Sequence, residues 1–141
     1  MTGTLTIRAA KAGDLDWLAE HDRHIAPEEL SAAIAHGRIL LAELDGETIG
    51  WLRWNLFWDN TPFMNLLYLQ LGERRRGYGR QLVAHWEQQM RQAGYDKVLT
   101  STQSDEEGQF FYRALGYTDA GCLLLPGEAT ELLFCKELCP L

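Results

Sequence analysis

Cysteine, positive charge and long apolar runs are all scarce in this 141-residue sequence, and each scarcity excludes something. The three cysteines, Cys122, Cys135 and Cys139, are odd in number and late in the chain, which excludes a disulfide framework and leads us to expect reduced, mostly buried thiols. Cys135 and Cys139 are separated by three residues, with no histidine near them in sequence, so no metal site is expected. No apolar run is long enough to cross a bilayer, and the opening MTGTLTIRAAKAGD lacks the apolar centre of a signal peptide. A cytoplasmic chain with no membrane partner is the expectation. Thirteen Lys and Arg face twenty Asp and Glu, a net charge of −7 that would repel nucleic acid and suits a cationic partner.

What is present is the composition of a folded globular domain, 46% hydrophobic and 23% charged, in a chain of single-domain length spanning residues 1–141. Thr4 to Arg8 alternates as an edge strand does, and Asp14 is placed to cap a helix whose Leu15, Leu18 and Ala19 share a face. Pro27 with Glu28 and Glu29 starts a second helix that Gly37 closes. Arg38 to Leu44 and Glu47 to Phe57 form a hairpin around Asp45-Gly46. Trp51 and Trp54 lie an odd number apart on the return strand and so face opposite ways. Asp59 to Pro62 reads as a turn, Lys97 to Thr102 as a strand, and Ser104 to Glu107 as a capping box opening a late helix that Gly116 ends. Tyr117 to Leu125 and Thr130 to Leu138 make a closing hairpin around Pro126-Gly127.

The stretch LLYLQLGERRRGYGRQLVAHWEQQM, Leu66 to Met90, organises the rest. An apolar run fit for a buried strand breaks at Gly72, and helical spacing resumes at Tyr78 with Leu82, Val83, Trp86, Met90 and Ala93 on the buried side. Between them, Gly77 and Gly79 bare the backbone while Arg74, Arg75, Arg76 and Arg80 supply positive charge. A helix start offers free N–H groups and a partial positive charge, so a phosphate can sit there. A nucleoside triphosphate loop would need Lys-Ser/Thr after its last glycine, where Arg80 and Gln81 stand. A dinucleotide loop would need glycine at Leu82.

The remaining pattern, Arg74-x-x-Gly77-x-Gly79 between strand and helix, resembles the acyl-CoA pyrophosphate loop of the GNAT superfamily of N-acetyltransferases. The later QFFYRALGY, Gln109 to Tyr117, resembles that family's late helix, which ends in Leu-Gly and an aromatic. The resemblance covers nearly the whole chain. It implies an α/β (α+β) GNAT fold: a mixed central sheet of about six or seven strands with four helices, splayed between the central strand and the following parallel strand. It further implies acetyl-CoA as co-substrate, no metal, and a primary amine acceptor on a small molecule or a protein.

The resemblance also assigns roles. The Leu69 backbone, followed by Gln70 and Leu71, falls where the family contacts pantetheine and the thioester. Arg74, Arg75, Arg76, Gly77, Tyr78, Gly79 and Arg80 would hold the pyrophosphate. Tyr112 falls where many members carry the acid that protonates the departing thiolate. Trp54, Trp58 and Asp59 are candidates for acceptor binding, an aromatic face being able to hold a cation. Many members carry a glutamate on the central strand, yet Phe63 to Tyr68 contains no carboxylate. Glu43, Asp59 or Glu106 acting through water, or no base at all, are the alternatives. The family's asparagine ahead of the late helix is also missing, with Asp105 near that place. The acids Glu20, Asp22, Glu28 and Glu29 around the first two helices would attract a cationic amine or simply solubilise the surface. A non-catalytic acyl-CoA-binding or protein-interaction module is the alternative from another class. Oligomeric state stays open, a homodimer included.

Overall fold

The computed structural model describes residues 3–139. In chain order the elements are β1 (Leu5–Ala9), a 3-10 turn (Ala12–Asp14), α1 (Leu15–His21), α2 (Pro27–Ala35), β2 (Ile39–Leu44), β3 (Glu47–Phe57) and β4 (Thr61–Leu69). A second 3-10 turn (Leu71–Glu73), α3 (Tyr78–Gln92), β5 (Lys97–Gln103), α4 (Gly108–Ala114), β6 (Thr118–Leu123) and β7 (Glu131–Glu137) follow. The seven strands are ordered β1-β2-β3-β4-β5-β7-β6. The sheet is mixed: β1–β2, β2–β3, β5–β7 and β6–β7 pair antiparallel, whereas β4 and β5 run parallel. This is the sheet and helix set expected from the sequence.

The contacts divide the chain into two compact units. The first extends to Asn55 and resumes over Leu66–Trp86. Its core gathers Ala10, Leu18, Leu30, Ile39, Leu41 and Trp51, with Trp17, Ile34 and Leu66 packed on it. α2 starts at Pro27, where the missing N–H costs nothing, and closes at Gly37, whose φ of 70° only glycine adopts cheaply. Asp45 (φ 53°) and Gly46 (φ 84°) give the two left-handed positions that match a hairpin turn to the twist of β2 and β3. Trp51 is 3% exposed among the core residues, and Trp54 instead meets Trp86 of α3 at 6.3 Å, so the two indoles do face opposite ways. Asp22 departs from its expected place among solvated acids. It is 2% exposed, and its carboxylate accepts Arg53 Nε at 2.9 Å, Trp51 Nε1 at 3.2 Å and the His24 N–H at 3.2 Å. Asp14 also differs: it serves the 3-10 turn, accepting the Lys11 N–H and the Arg8 guanidinium, and makes no side-chain cap on α1.

The second unit holds Leu56–Asn65 and the chain from Glu87 onward. The β4–β5 register pairs Phe63 with Leu99 and Met64 with Thr100, and the Thr100 hydroxyl donates to the Met64 carbonyl at 3.0 Å. Phe134 and Val98 are fully buried. Buried Glu87 accepts the Tyr117 hydroxyl at 2.8 Å on one oxygen and Lys136 Nζ at 2.9 Å on the other, so both oxygens of the buried ion pair's carboxylate are engaged. The expected capping box at Ser104–Glu107 does not form. Ser104 donates its N–H to the Thr130 carbonyl at 2.8 Å, and the Gln109 side chain donates to the Ser104 and Glu106 carbonyls, so α4 starts only at Gly108. The thiols differ from expectation as well. Cys122 is exposed because β6 is the outermost strand and every one of its residues is open; Cys139, past the end of β7, is exposed too, and Cys135 on β7 is half-buried. Ala93 is exposed just past the end of α3, since Gly94 (φ 94°) turns the chain away there.

Candidate active site

In the first unit the site is built on the exit from β4. Gln70 donates its N–H to the Ile49 carbonyl of β3 at 2.8 Å, and its side-chain amide to the Thr48 carbonyl at 3.3 Å. Both of its donor groups are therefore engaged with β3. Because N–H and C=O of one strand residue share a side and neighbours alternate, the N–H and C=O of Leu69 lie on the edge of β4 turned away from β3. Gly50 makes this possible: a Cβ there would fall 2.4 Å from the Tyr68 carbonyl and 2.6 Å from Leu69 Cδ2. The sequence reading missed Gly50, although a lone glycine inside a strand is the usual sign of close backbone approach.

Leu71, 76% exposed, begins the 3-10 turn, and the chain then bends rather than continuing as helix. Arg75 (φ 65°) and Gly77 (φ 83°) both take the left-handed region. For Arg75 this costs roughly 1–2 kcal/mol, which the surrounding turn must offset. α3 begins at Tyr78, and the bond from the Gln81 N–H to the Gly77 carbonyl, 3.1 Å, starts its ladder. The N–H groups of Tyr78, Gly79 and Arg80 stand at the positive end of the helix, ahead of that first bond. Gly79 is buried, Tyr78 half-buried and Arg80 exposed.

The arginines diverge in what they touch. Arg76 lies 3.7 Å from Glu73. Arg74 donates Nε to the Leu69 carbonyl at 2.9 Å, with its guanidinium carbon 5.6 Å from the centre of the Tyr68 ring. Trp54, a candidate for acceptor binding, packs on Trp86 and lies under Arg38, 5.5 Å from its ring centre. Glu43 accepts Arg8 Nε and is committed to that pair.

In the second unit, Tyr112 of α4 is 7% exposed. Its hydroxyl lies 4.0 Å from Met64 Sδ, and its ring meets those of Phe111, Tyr117 and Phe134. Burial pushes the phenol up to about 12, against a smaller lowering by a hydrogen bond with Thr100 and a further rise from the charge of Glu106. Thr100 and Met64 were not singled out in the sequence, and no local pattern marks them. Glu106 is the one of the three carboxylates considered as base whose charge bears on Tyr112. Trp58 (φ 55°, 78% exposed) and Asp59 (φ 63°) form the tip of the β3–β4 hairpin, closed by the Asn60 N–H on the Phe57 carbonyl at 3.2 Å. Phe57 touches both Trp58 and Phe63, so the tip is an aromatic surface with one carboxylate beside it. Among the described residues no cluster of His, Cys, Asp and Glu could hold a metal ion.

Comparison with known proteins names the class. The acetyltransferase (GNAT) family matches over residues 9–117, so the chain belongs to the GNAT family of acetyltransferases. A GNAT acetyltransferase from Bacillus cereus ATCC 10987 superposes with a TM-score of 0.79 at 24% identity, over 97% of this chain and 99% of that one. The ribosomal-protein-S18-alanine N-acetyltransferase of Escherichia coli gives 0.79 at 13% identity, over 96% and 94%. The PaiA N-acetyltransferase of Thermoplasma acidophilum, crystallised with coenzyme A, gives 0.76 at 18% identity, over 95% and 99%. No curated protein matches by sequence. Identities this low establish a shared fold, not a shared acceptor.

Proposed function

We propose that the chain transfers the acetyl group of acetyl-CoA to a primary amine by direct attack in a ternary complex. The observation that carries this reading is the bend between β4 and α3, where a left-handed Gly77 leads into the bare N–H groups of Tyr78, Gly79 and Arg80 amid four arginines. Charge-assisted hydrogen bonds contribute about 1.5–3 kcal/mol each, so a few on a pyrophosphate give micromolar affinity. Leu69 supports the second contact, since its N–H lies on the outer edge of β4 and suits an oxyanion donor.

Tyr112 is the proton donor to the leaving sulfur. A phenol near 12 keeps its proton throughout the neutral range. Transfer to a thiolate whose conjugate acid lies near 8.5 is uphill for such a phenol by about 3.5 pH units. The ammonium created by amine attack supplies the positive charge that lowers it. Glu106, whose field already reaches Tyr112, is the candidate to accept the amine proton through water. Trp58, Asp59 and the net charge of −7 favour a cationic acceptor.

Thiol release measured with acetyl-CoA and a panel of amines tests the reading, alongside calorimetry with coenzyme A on wild type and Gly79→Glu. The expected outcome is turnover with at least one amine, and loss of coenzyme A binding in a variant that stays folded. Unchanged affinity in Gly79→Glu removes the loop assignment. The lack of a carboxylate on Phe63 to Tyr68 favours one other reading, a non-catalytic acyl-CoA-binding module. Tight binding without turnover across the panel would select it.

A further inference from the structure

The loop reading just proposed treats all four arginines as charge for a pyrophosphate, but Arg74 has a different occupation. Its Nε is aimed back at the strand and bonds the Leu69 carbonyl at 2.9 Å. Its guanidinium group also lies over Tyr68, which leans at 4.8 Å on Trp51, itself fixed by buried Asp22. The peptide joining Leu69 to Gln70 is thus held from both sides. Gln70 N–H bonds to β3, and Arg74 takes the carbonyl on the opposite edge. That carbonyl belongs to the same residue, and lies on the same edge of β4, as the Leu69 N–H.

We infer that Arg74 is a positioning residue: it clamps the last peptide of β4 so that the Leu69 N–H stays aimed at the reacting carbonyl, and it is not a phosphate ligand. The inference rests on the proposed acetyl-CoA reading of this strand end. Its chemistry is specific to one atom. Glutamine places its amide nitrogen the same number of bonds from Cα as arginine Nε, so it can make the clamp without charge. Lysine keeps the charge but carries no donor at that atom.

The test compares Arg74→Gln, Arg74→Lys and Arg74→Met. The first readout uses protein without cofactor: amide hydrogen exchange at Gln70, whose bond to Ile49 reports whether the peptide is held. We expect Gln to exchange like wild type and Lys and Met to exchange about tenfold faster, the loss of one hydrogen bond to the carbonyl whose worth does not depend on the charge. The second readout is coenzyme A affinity and turnover with an amine active in the thiol-release panel. Affinity should stay within about threefold in all three variants, while kcat is kept by Gln and falls about tenfold or more in Lys and Met. The opposite pattern, with Lys retaining affinity and kcat while Gln and Met lose affinity, overturns the inference in favour of a phosphate ligand. Wild-type exchange in all three overturns it in favour of a plain surface arginine. Failure of wild type itself to bind coenzyme A would instead strike at the acetyl-CoA reading, and the exchange data would still decide the clamp. Arg74 is exposed, so the variants are expected to fold, and thermal melts check it.

Discussion

Replacing Asp22 by alanine should cost this protein a large part of its stability, although Asp22 sits in a run, His21-Asp22-Arg23-His24, that reads as solvated helix end. The side chain is 0% exposed and that of Arg53 8%. Truncation leaves the Arg53 guanidinium buried without its carboxylate, and strands the Trp51 Nε1–H and the His24 N–H as well. Breaking a buried pair from one side costs about 3–5 kcal/mol, and each orphaned donor adds up to about 1–3 kcal/mol that overlaps with that figure. We take about 4 kcal/mol as the expected loss, about a quarter or more of the roughly 5–15 kcal/mol that holds a typical domain. Urea unfolding followed by tryptophan fluorescence measures it as a fall in midpoint at constant slope. Adding Arg53→Met to Asp22→Ala removes the uncompensated charge and should restore about 2 kcal/mol, which a double-mutant cycle reads as coupling. A loss under about 1 kcal/mol for the single variant, or no recovery in the double, would refute the reasoning: it would mean water reaches Arg53 and the pair is not buried in energetic terms.

Other expectations follow from single sites. Tyr112→Phe should lower kcat about a hundredfold with coenzyme A affinity nearly kept, and equal turnover would remove the phenol from the mechanism. The same residue bears on alkaline stability. Its phenol rises from 10.0 to about 12 in the fold, so the stability it contributes is complete below pH 10 and is lost as pH climbs toward 12. Tyr117 is raised too, first by burial and then by Glu87, so Tyr112→Phe should shallow the alkaline limb of a stability profile without abolishing it. At the acid end, the hydrogen bond from Arg8 holds the Asp14 carboxyl at about 2 against an ordinary 3.8. Its contribution is whole above 3.8 and disappears as pH falls through 2, and Asp14→Asn should flatten that part of an acid titration followed by circular dichroism. Trp58→Asn with Asp59→Gly relieves two left-handed residues at the hairpin tip and should raise stability by about 1 kcal/mol in urea. If the tip binds the amine, the same variant raises acceptor KM while leaving coenzyme A affinity alone.

Local chemistry wrote much of this molecule into the sequence. The Asp45-Gly46 turn, the Pro27 start and Gly37 stop of α2, and the strand–turn–helix around Gly77 are each decided by residues within a few positions of one another, through φ preference and hydrophobic period. The same locality misled where a distant partner competed. Ser104 and Glu107 have capping-box spacing, but the Thr130 carbonyl claims the Ser104 N–H. Asp14 has the look of a cap, but Arg8 and the Lys11 N–H claim its carboxylate.

The sequence by itself therefore determined the order of elements, the bare backbone at the helix start and the charge around it, since turn geometry and helix polarity need only neighbours. Tertiary structure alone decided that Asp22 is interior and not an acceptor lure, that Gly50 is the gap through which β3 closes on Tyr68 and Leu69, and that Arg74 turns back to the strand. The first two depend on segments far apart in the chain excluding water together, Asp22 with Arg53 and Gly50 with Tyr68. Arg74 reaches back only to Leu69, but it does so because β3 already holds the other side of that peptide through the Gln70 N–H, and no local pattern encodes that partner.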